Sequence, residues 1–332
     1  MSKKQLVWST IVIVLACCVA LALTPAGAQS SQSTATPSLT PPRKPTLTVT
    51  ATREPLRIGA PSPTATTTVL ATAAPSPTPA TLYPTPTPDD RAGPTPDGQA
   101  RNVRVPILMY HYVSEPPEDA DNYRVGLSVT PDMFRQQMQY MKDNGYQAIT
   151  LDDLMYALVQ GAPLPPKPVV LTFDDGYADM YDNAFPILQE FGFTGTFFVV
   201  TAWIDEENPN YLAWEQAREM AEAGMRIESH SKTHPDLTDK PYDFILYEVL
   251  GSIESVEAHV GYRPRFFCYP GGAFDDYLVS TLPDFGIWGA VTTEAGTRHY
   301  TDRPLLLRRV RVEYETDLTQ FAAFLEWGRE GD

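Results

Sequence analysis

The chain from Arg101 onward predicts an α/β fold on a parallel sheet, open or closed into a barrel. Three observations lead there. Short apolar runs alternate with amphipathic stretches over about 230 residues, the order that repeated strand-then-helix units require. Stop signals at Asn144-Gly145, Gly192 and Gly224 close several of the amphipathic stretches. The residues best suited to chemistry collect just after the apolar runs, and in parallel α/β folds the site lies at the carboxyl ends of the strands.

The elements follow in order. Val105–Tyr110 (VPILMY) is a strand, and Thr130-Pro131 caps a helix that runs to Asn144-Gly145. Gln147–Thr150 and Val169–Phe173 are strands, the second fully apolar until Thr172. Ala178–Phe191 is helical, and Thr196–Thr201 (TFFVVT) is β-branched and aromatic, hence strand. Leu212–Ala223 is helix and Met225–Ser229 strand; Phe244–Val260 is helix and Phe266–Tyr269 strand. Asp275–Pro283 is a short helix, Ala290–Thr293 and Leu307–Val312 are strands, and Leu318–Trp327 is the last helix.

The N-terminal hundred residues are different material. Lys3 and Lys4 precede the apolar run Leu6–Leu23, and Ala26-Gly27-Ala28 has the small residues of a cleavage site, so residues 1–28 read as a signal peptide. An uncleaved membrane anchor is the alternative, since the run is near the lower limit for a span. Either places the remainder outside the cytoplasmic membrane, secreted or tethered at the cell surface. Residues 29–100 form a Pro/Thr-rich linker, with 15 Pro and 17 Thr between residues 31 and 100. Pro removes backbone donors and Thr adds little apolar area, so this stretch forms no core and is expected to be disordered and extended. In polyproline II it reaches on the order of 200 Å.

Residues 101–332 carry 18 basic and 37 acidic side chains, a net charge of −19. That balance argues against nucleic acid and anionic lipid as ligands. Membrane attachment is then expected through the N-terminal segment only. Cys17 and Cys18 fall in the signal segment and leave Cys268 alone, so no internal disulfide is expected in the exported part. Cys268 reads as a small buried residue on a strand.

The strand ends hold His111 after VPILMY, Asp174 and Asp175 after VVLTF, His230 and His234 after MRIES, and Pro270-Gly271-Gly272 after FFCY. Two His four apart plus a carboxylate from elsewhere suit a zinc-like ion, leaving a coordination position open. His230 is not followed by Glu, so the string SHSKTH is not the helical H-E-x-x-H of metalloproteases. Neighbouring residues at a strand end point in different directions. One Asp of the pair can therefore bind the metal while the other acts as a base.

With TFDDG, HSKTH and FCYPGG in this order, the domain resembles the polysaccharide deacetylases of the NodB-homology type, carbohydrate esterase family 4. The resemblance covers about Val105 to Val312, and the Tyr-His that ends PILMYH is similar to the poly-N-acetylglucosamine deacetylase branch. It implies a distorted (β/α) barrel with fewer than eight repeats. It implies a divalent metal, zinc first with cobalt or nickel as alternatives, held by Asp175, His230 and His234. Asp174 is then the general base that activates the attacking water and His111 the acid that protonates the leaving amine. Gly271 and Tyr269 of the third motif fall on the oxyanion and substrate side, with the N–H of Gly271 as the expected donor. Many members carry Arg at the position of Cys268; here Arg309, in LLRRVRV, is the expected substitute for orienting the base. Met109, two residues before His111, is expected to line the pocket for the acetyl methyl group. The implied substrate is a polysaccharide containing N-acetylglucosamine. Peptidoglycan, chitin and acetylated xylan are alternatives, and a wall- or matrix-binding module without catalysis is the rival of a different class.

Overall fold

The computed structural model describes residues 93–327. The expected signal segment and most of the expected linker lie outside the described residues. Among the described residues there are ten strands: β1 (Asn102–Arg104), β2 (Ile107–Tyr110), β3 (Gln147–Ala148), β4 (Pro168–Phe173), β5 (Thr196–Val199), β6 (Arg226–Ser229), β7 (Phe266–Cys268), β8 (Gly289–Ala295), β9 (Arg298–Tyr300) and β10 (Leu307–Arg311). Seven of them, β2, β4, β5, β6, β7, β8 and β10, pair in parallel around a ring that closes where β2 meets β4. Closure sets Ile107 opposite Val170 and Tyr110 opposite Phe173. The open-or-closed alternative is thereby resolved in favour of a barrel. β3 pairs with the start of β4, Gln147 opposite Pro168, while β5 pairs with its end, Thr172 opposite Thr196.

Strand alternation sorts the side chains into two populations. Ile107, Val170, Phe198, Phe266, Val291 and Leu307 point into the barrel, where Leu151, Leu154, Met155 and Leu158 pack with them. The alternate residues Leu108, Tyr110, Leu171, Phe173, Phe197 and Ile227 point outward under the helices. Phe134, Met138 and Met141 of helix Pro131–Asp143 cover them on one side. That helix begins as expected, with Thr130 accepting from the Met133 N–H at 3.1 Å and Pro131 in its first turn.

Three features depart from the element order expected from sequence. Helix Leu151–Gln160 follows β3 directly, opened by a reciprocal capping box between Thr150 and Asp153. Between β8 and β10 the chain forms β9, which pairs antiparallel with β1, and neither strand was expected from sequence. The helices expected at Ala178–Phe191 and Phe244–Val260 each contain a π-helical turn, Met180–Ala184 and Leu246–Leu250. Among the described residues no helix is long and apolar enough to cross a membrane.

Candidate active site

The alternation that fills the barrel with apolar side chains also aims polar ones at its carboxyl end. Thr172 and Asp174 follow Val170 on the inward face of β4, His230 follows Glu228 on β6, and Arg309 follows Leu307 on β10. Continued alternation would turn Asp175 away from Asp174. The backbone prevents this: Asp175 has φ 78°, a left-handed conformation that breaks the strand pattern. Ser231 and His234 are also left-handed, with φ 65° and 61°. Non-glycine residues in this region store strain, and three of them around one point mark a site whose geometry the rest of the fold enforces.

The two carboxylates have separate partners. Asp174 is buried and faces Arg309, with Nη1 to Oδ1 and Nη2 to Oδ2 both at 2.7 Å. Arg309 is itself buried, and its remaining donors reach the Thr292 carbonyl at 2.9 Å and Thr172 Oγ1 at 3.1 Å. Burial alone would push the Asp174 carboxyl up, but the guanidinium outweighs it and holds the carboxyl well below the usual range. Cys268 is buried on β7 as expected, and it also touches the pair, with Sγ 3.4 Å from Asp174 Oδ2 and 3.3 Å from Arg309 Nη2.

Asp175 lies instead between two imidazoles, with Oδ1 3.2 Å from His230 Nε2 and 3.5 Å from His234 Nε2. One ligand atom from each of the three residues lies within 4.8 Å of the others. The donor set suits a divalent ion. The His230 Nδ1–H donates to the Cys268 carbonyl at 2.8 Å, which turns Nε2 toward Asp175. Burial lowers the His230 pKa, but its contacts with Cys268 and Asp175 raise it well above the usual value, so Nε2 shares a proton with Asp175 that a bound metal would displace. Burial and the neighbouring His230 lower the pKa of His234, which favours the neutral imidazole that a metal requires. Burial raises the Asp175 carboxyl, and the His230 contact more than offsets it.

His111 stands across this cluster, with Nε2 3.9 Å from Asp174 Oδ2. Its Nδ1 is buried without a hydrogen-bond partner among the described residues. Burial lowers its pKa against the raising fields of Asp174 and Asp175. The carboxylates therefore act on this ring through space and do not fix its Nδ1.

The third-motif turn is Pro270–Gly272, closed by the Gly272 N–H on the Tyr269 carbonyl at 2.8 Å. Gly271 (φ 61°) has open space where a Cβ would stand. Gly272 (φ 74°) has none: a Cβ there would lie 2.0 Å from Thr293 Oγ1. Tyr269 shares the outward face of β7 with Phe267, packs on Phe274, and donates its hydroxyl to the Leu305 carbonyl at 3.0 Å. Its side chain is thus committed to packing, and what it offers the site is backbone. Met109 is buried on the inward face of β2, in line with Ile107 and His111.

Sequence reasoning missed the contact of Cys268 with Asp174 and an aromatic run beside Asp175. Tyr112 stacks on Tyr177 at 3.7 Å, Tyr177 on Tyr211 at 5.2 Å, and Trp203 lies 4.5 Å from Tyr211 and 5.8 Å from His234. These residues come from four different segments, so no sequence spacing joins them. His259 and His299 stay outside the site. His259 stacks on Trp214 at 4.4 Å, and His299 donates to the Val105 carbonyl at 2.9 Å.

Comparison with known proteins points the same way. The polysaccharide deacetylase family profile matches residues 161–289. The chain is 30% identical over 224 residues to the Bacillus subtilis (strain 168) protein YxkH, whose name places it among polysaccharide deacetylases, covering 68% of this chain and 77% of that one. It is 25% identical over 237 residues to the poly-beta-1,6-N-acetyl-D-glucosamine N-deacetylase of Escherichia coli (strain K12). That match covers 59% of this chain and only 35% of the relative. Among solved structures, the Streptococcus pyogenes deacetylase PplD, in complex with acetate, superposes with a TM-score of 0.63 at 30% identity, over 68% of this chain and 100% of that one.

Proposed function

The chain belongs to the polysaccharide deacetylase family, and on that premise we propose that it is an exported, metal-dependent hydrolase that removes N-acetyl groups from a polysaccharide containing N-acetylglucosamine. The observation that carries this is the division of the Asp pair, Asp174 to Arg309 and Asp175 to the two His. A binding module needs no such division, whereas amide hydrolysis needs a Lewis acid and a base at adjacent points. The sugar is the one named for the Escherichia coli relative. The outward location rests on Leu6–Leu23 and the small residues that follow.

Asp175, His230 and His234 would hold a divalent ion, zinc first, with cobalt or nickel as alternatives. Bound there, the ion supplies polarisation of the acetamide carbonyl and a lowered pKa for the attacking water. Asp174 accepts the proton of that water. Arg309 keeps it ionised well into the acid range and fixes its orientation, at the expense of basicity. The Gly271 N–H is the donor assigned to the developing oxyanion, on a residue whose Cβ position is open space. His111 donates a proton to the departing amine. Its pKa is low at rest because it is buried, and the negative charge that builds on the substrate raises it when the proton is needed. Met109 lines the wall beneath His111.

The testing experiment is acetate release from poly-N-acetylglucosamine, peptidoglycan, chitin and acetylated xylan, with metal content determined on the same sample. Metal-dependent release that is fastest on poly-N-acetylglucosamine is expected. Faster release from another glycan would reassign the substrate, and no release from any of them by protein shown to contain metal would refute the enzyme.

A further inference from the structure

His230 and His234 reach one point only because the three residues between them turn sharply, with left-handed backbone at Ser231 and at His234 itself. Such a turn does not hold itself. Its backbone donors point away from any strand or helix partner, and each must find an acceptor. The Lys232 N–H donates to Glu248 Oε2 at 3.1 Å and the Thr233 N–H to the same oxygen at 2.8 Å. The Thr233 hydroxyl donates to the other oxygen, Oε1, at 2.7 Å. The His234 N–H closes the turn on Ser231 Oγ at 2.9 Å. One carboxylate thus gathers three donors from the two central residues of the ligand loop.

We infer that Glu248 is a positioning residue for the metal centre, whose buried carboxylate holds the Ser231–His234 turn in the shape that brings both imidazoles to Asp175. The inference rests on the proposed metal triad and extends it. Glu248 is 1% exposed and lies in the π-helical turn Leu246–Leu250. Turns of this kind are frequent where a helix must aim a side chain at a functional site. An ionised carboxylate is the fitting group, since it is acceptor-only and bonds backbone N–H groups about twice as strongly as a neutral acceptor. Ser252, one turn further along the same helical run, contacts Ser229 at the end of β6, so the run anchors the loop at its base as well.

The test is zinc affinity, measured on the full-length protein by competition with a chromogenic chelator at fixed pH. Glu248→Ala is expected to weaken zinc by about 10–100-fold, the usual worth of an outer partner of a metal ligand. Glu248→Gln is expected to stay within a few-fold of wild type. Its amide oxygen can keep both N–H bonds, and the Thr233 hydroxyl can turn to accept from the amide nitrogen. Thermal melting of the zinc-free proteins runs in parallel. A folded Glu248→Ala with a lowered melting point but zinc affinity within twofold of wild type would show a merely structural role and overturn the inference. If that variant does not fold, Thr233→Val decides by the same criterion, with a several-fold loss expected. Asp175→Ala is the control for the triad. Tight zinc binding by Asp175→Ala, or none by wild type, would overturn the triad and the inference together. Loss in Asp175→Ala with none in Glu248→Ala would overturn the inference alone.

Discussion

Arg309 grips both oxygens of Asp174 at 2.7 Å each and so ties β10 to the end of β4 across the barrel. The small thiol of Cys268 lies against both groups and leaves room for the guanidinium to arrive from β10. Arg309→Ala leaves a buried carboxylate with no counterion, which costs about 3–5 kcal/mol. Denaturant unfolding measures it, and a loss under about 1 kcal/mol would mean that water or another cation replaces the pair. Arg309→Lys keeps a charge but cannot form the two-pronged contact, so it is expected to recover only part of the stability.

His111→Ala is expected to fold and keep its metal, because the three proposed ligands lie elsewhere. Turnover on amide substrates is expected to fall by about 10²–10⁴-fold, the worth of one positioned acid. Activated aryl acetates release a leaving group that needs no proton, so they are expected to lose much less. The ratio of amide loss to ester loss is the readout, and a ratio near one would remove His111 from the chemistry.

His299 is a pH-dependent element away from the site. Burial lowers its pKa to about 4, while one ring nitrogen donates to the Val105 carbonyl. The unfolded chain binds the proton at about 6.5. Protonation therefore favours unfolding, and the stability is fully present above pH 6.5 and lost as pH falls toward 4. About 3 kcal/mol is at stake for this one group. His299→Gln can still donate to Val105 and does not titrate. The stability difference between wild type and variant is expected to shrink or invert between pH 7 and 4.5, and a constant difference would show that His299 titrates equally in both states.

The two glycines of the third-motif turn are expected to differ. Gly271→Ala meets only the left-handed backbone penalty of about 1–2 kcal/mol. Gly272→Ala meets the same penalty and drives a methyl group into Thr293. Melting curves of the two variants check this, and equal losses would mean that Thr293 moves aside freely.

The α/β class on a parallel sheet and the candidate site's address were legible because both depend on short-range patterns, whereas closure into a barrel was implied only by the resemblance. Apolar runs located the strands, and their polar ends located His111, Asp174, His230 and His234. Long-range facts were not legible. Only the resemblance to known deacetylases suggested that Arg309 reaches Asp174, because 135 residues separate them. Helix Leu151–Gln160 carries a readable signal in its Thr150–Asp153 capping box. The left-handed backbone at Asp175, Ser231 and His234 left no compositional trace, since glycine is the usual sign of such positions and none of these is glycine.

The most direct measurement of the central claim, that the two Asp divide the work, is metal content and acetate release in Asp174→Asn and Asp175→Ala, side by side. Asp174→Asn is expected to retain stoichiometric metal and to lose acetate release, because it keeps the side-chain shape and removes the proton acceptor. Asp175→Ala is expected to lose the metal, and its activity with it. Equal metal loss in both variants, or full activity in Asp174→Asn, would contradict the division.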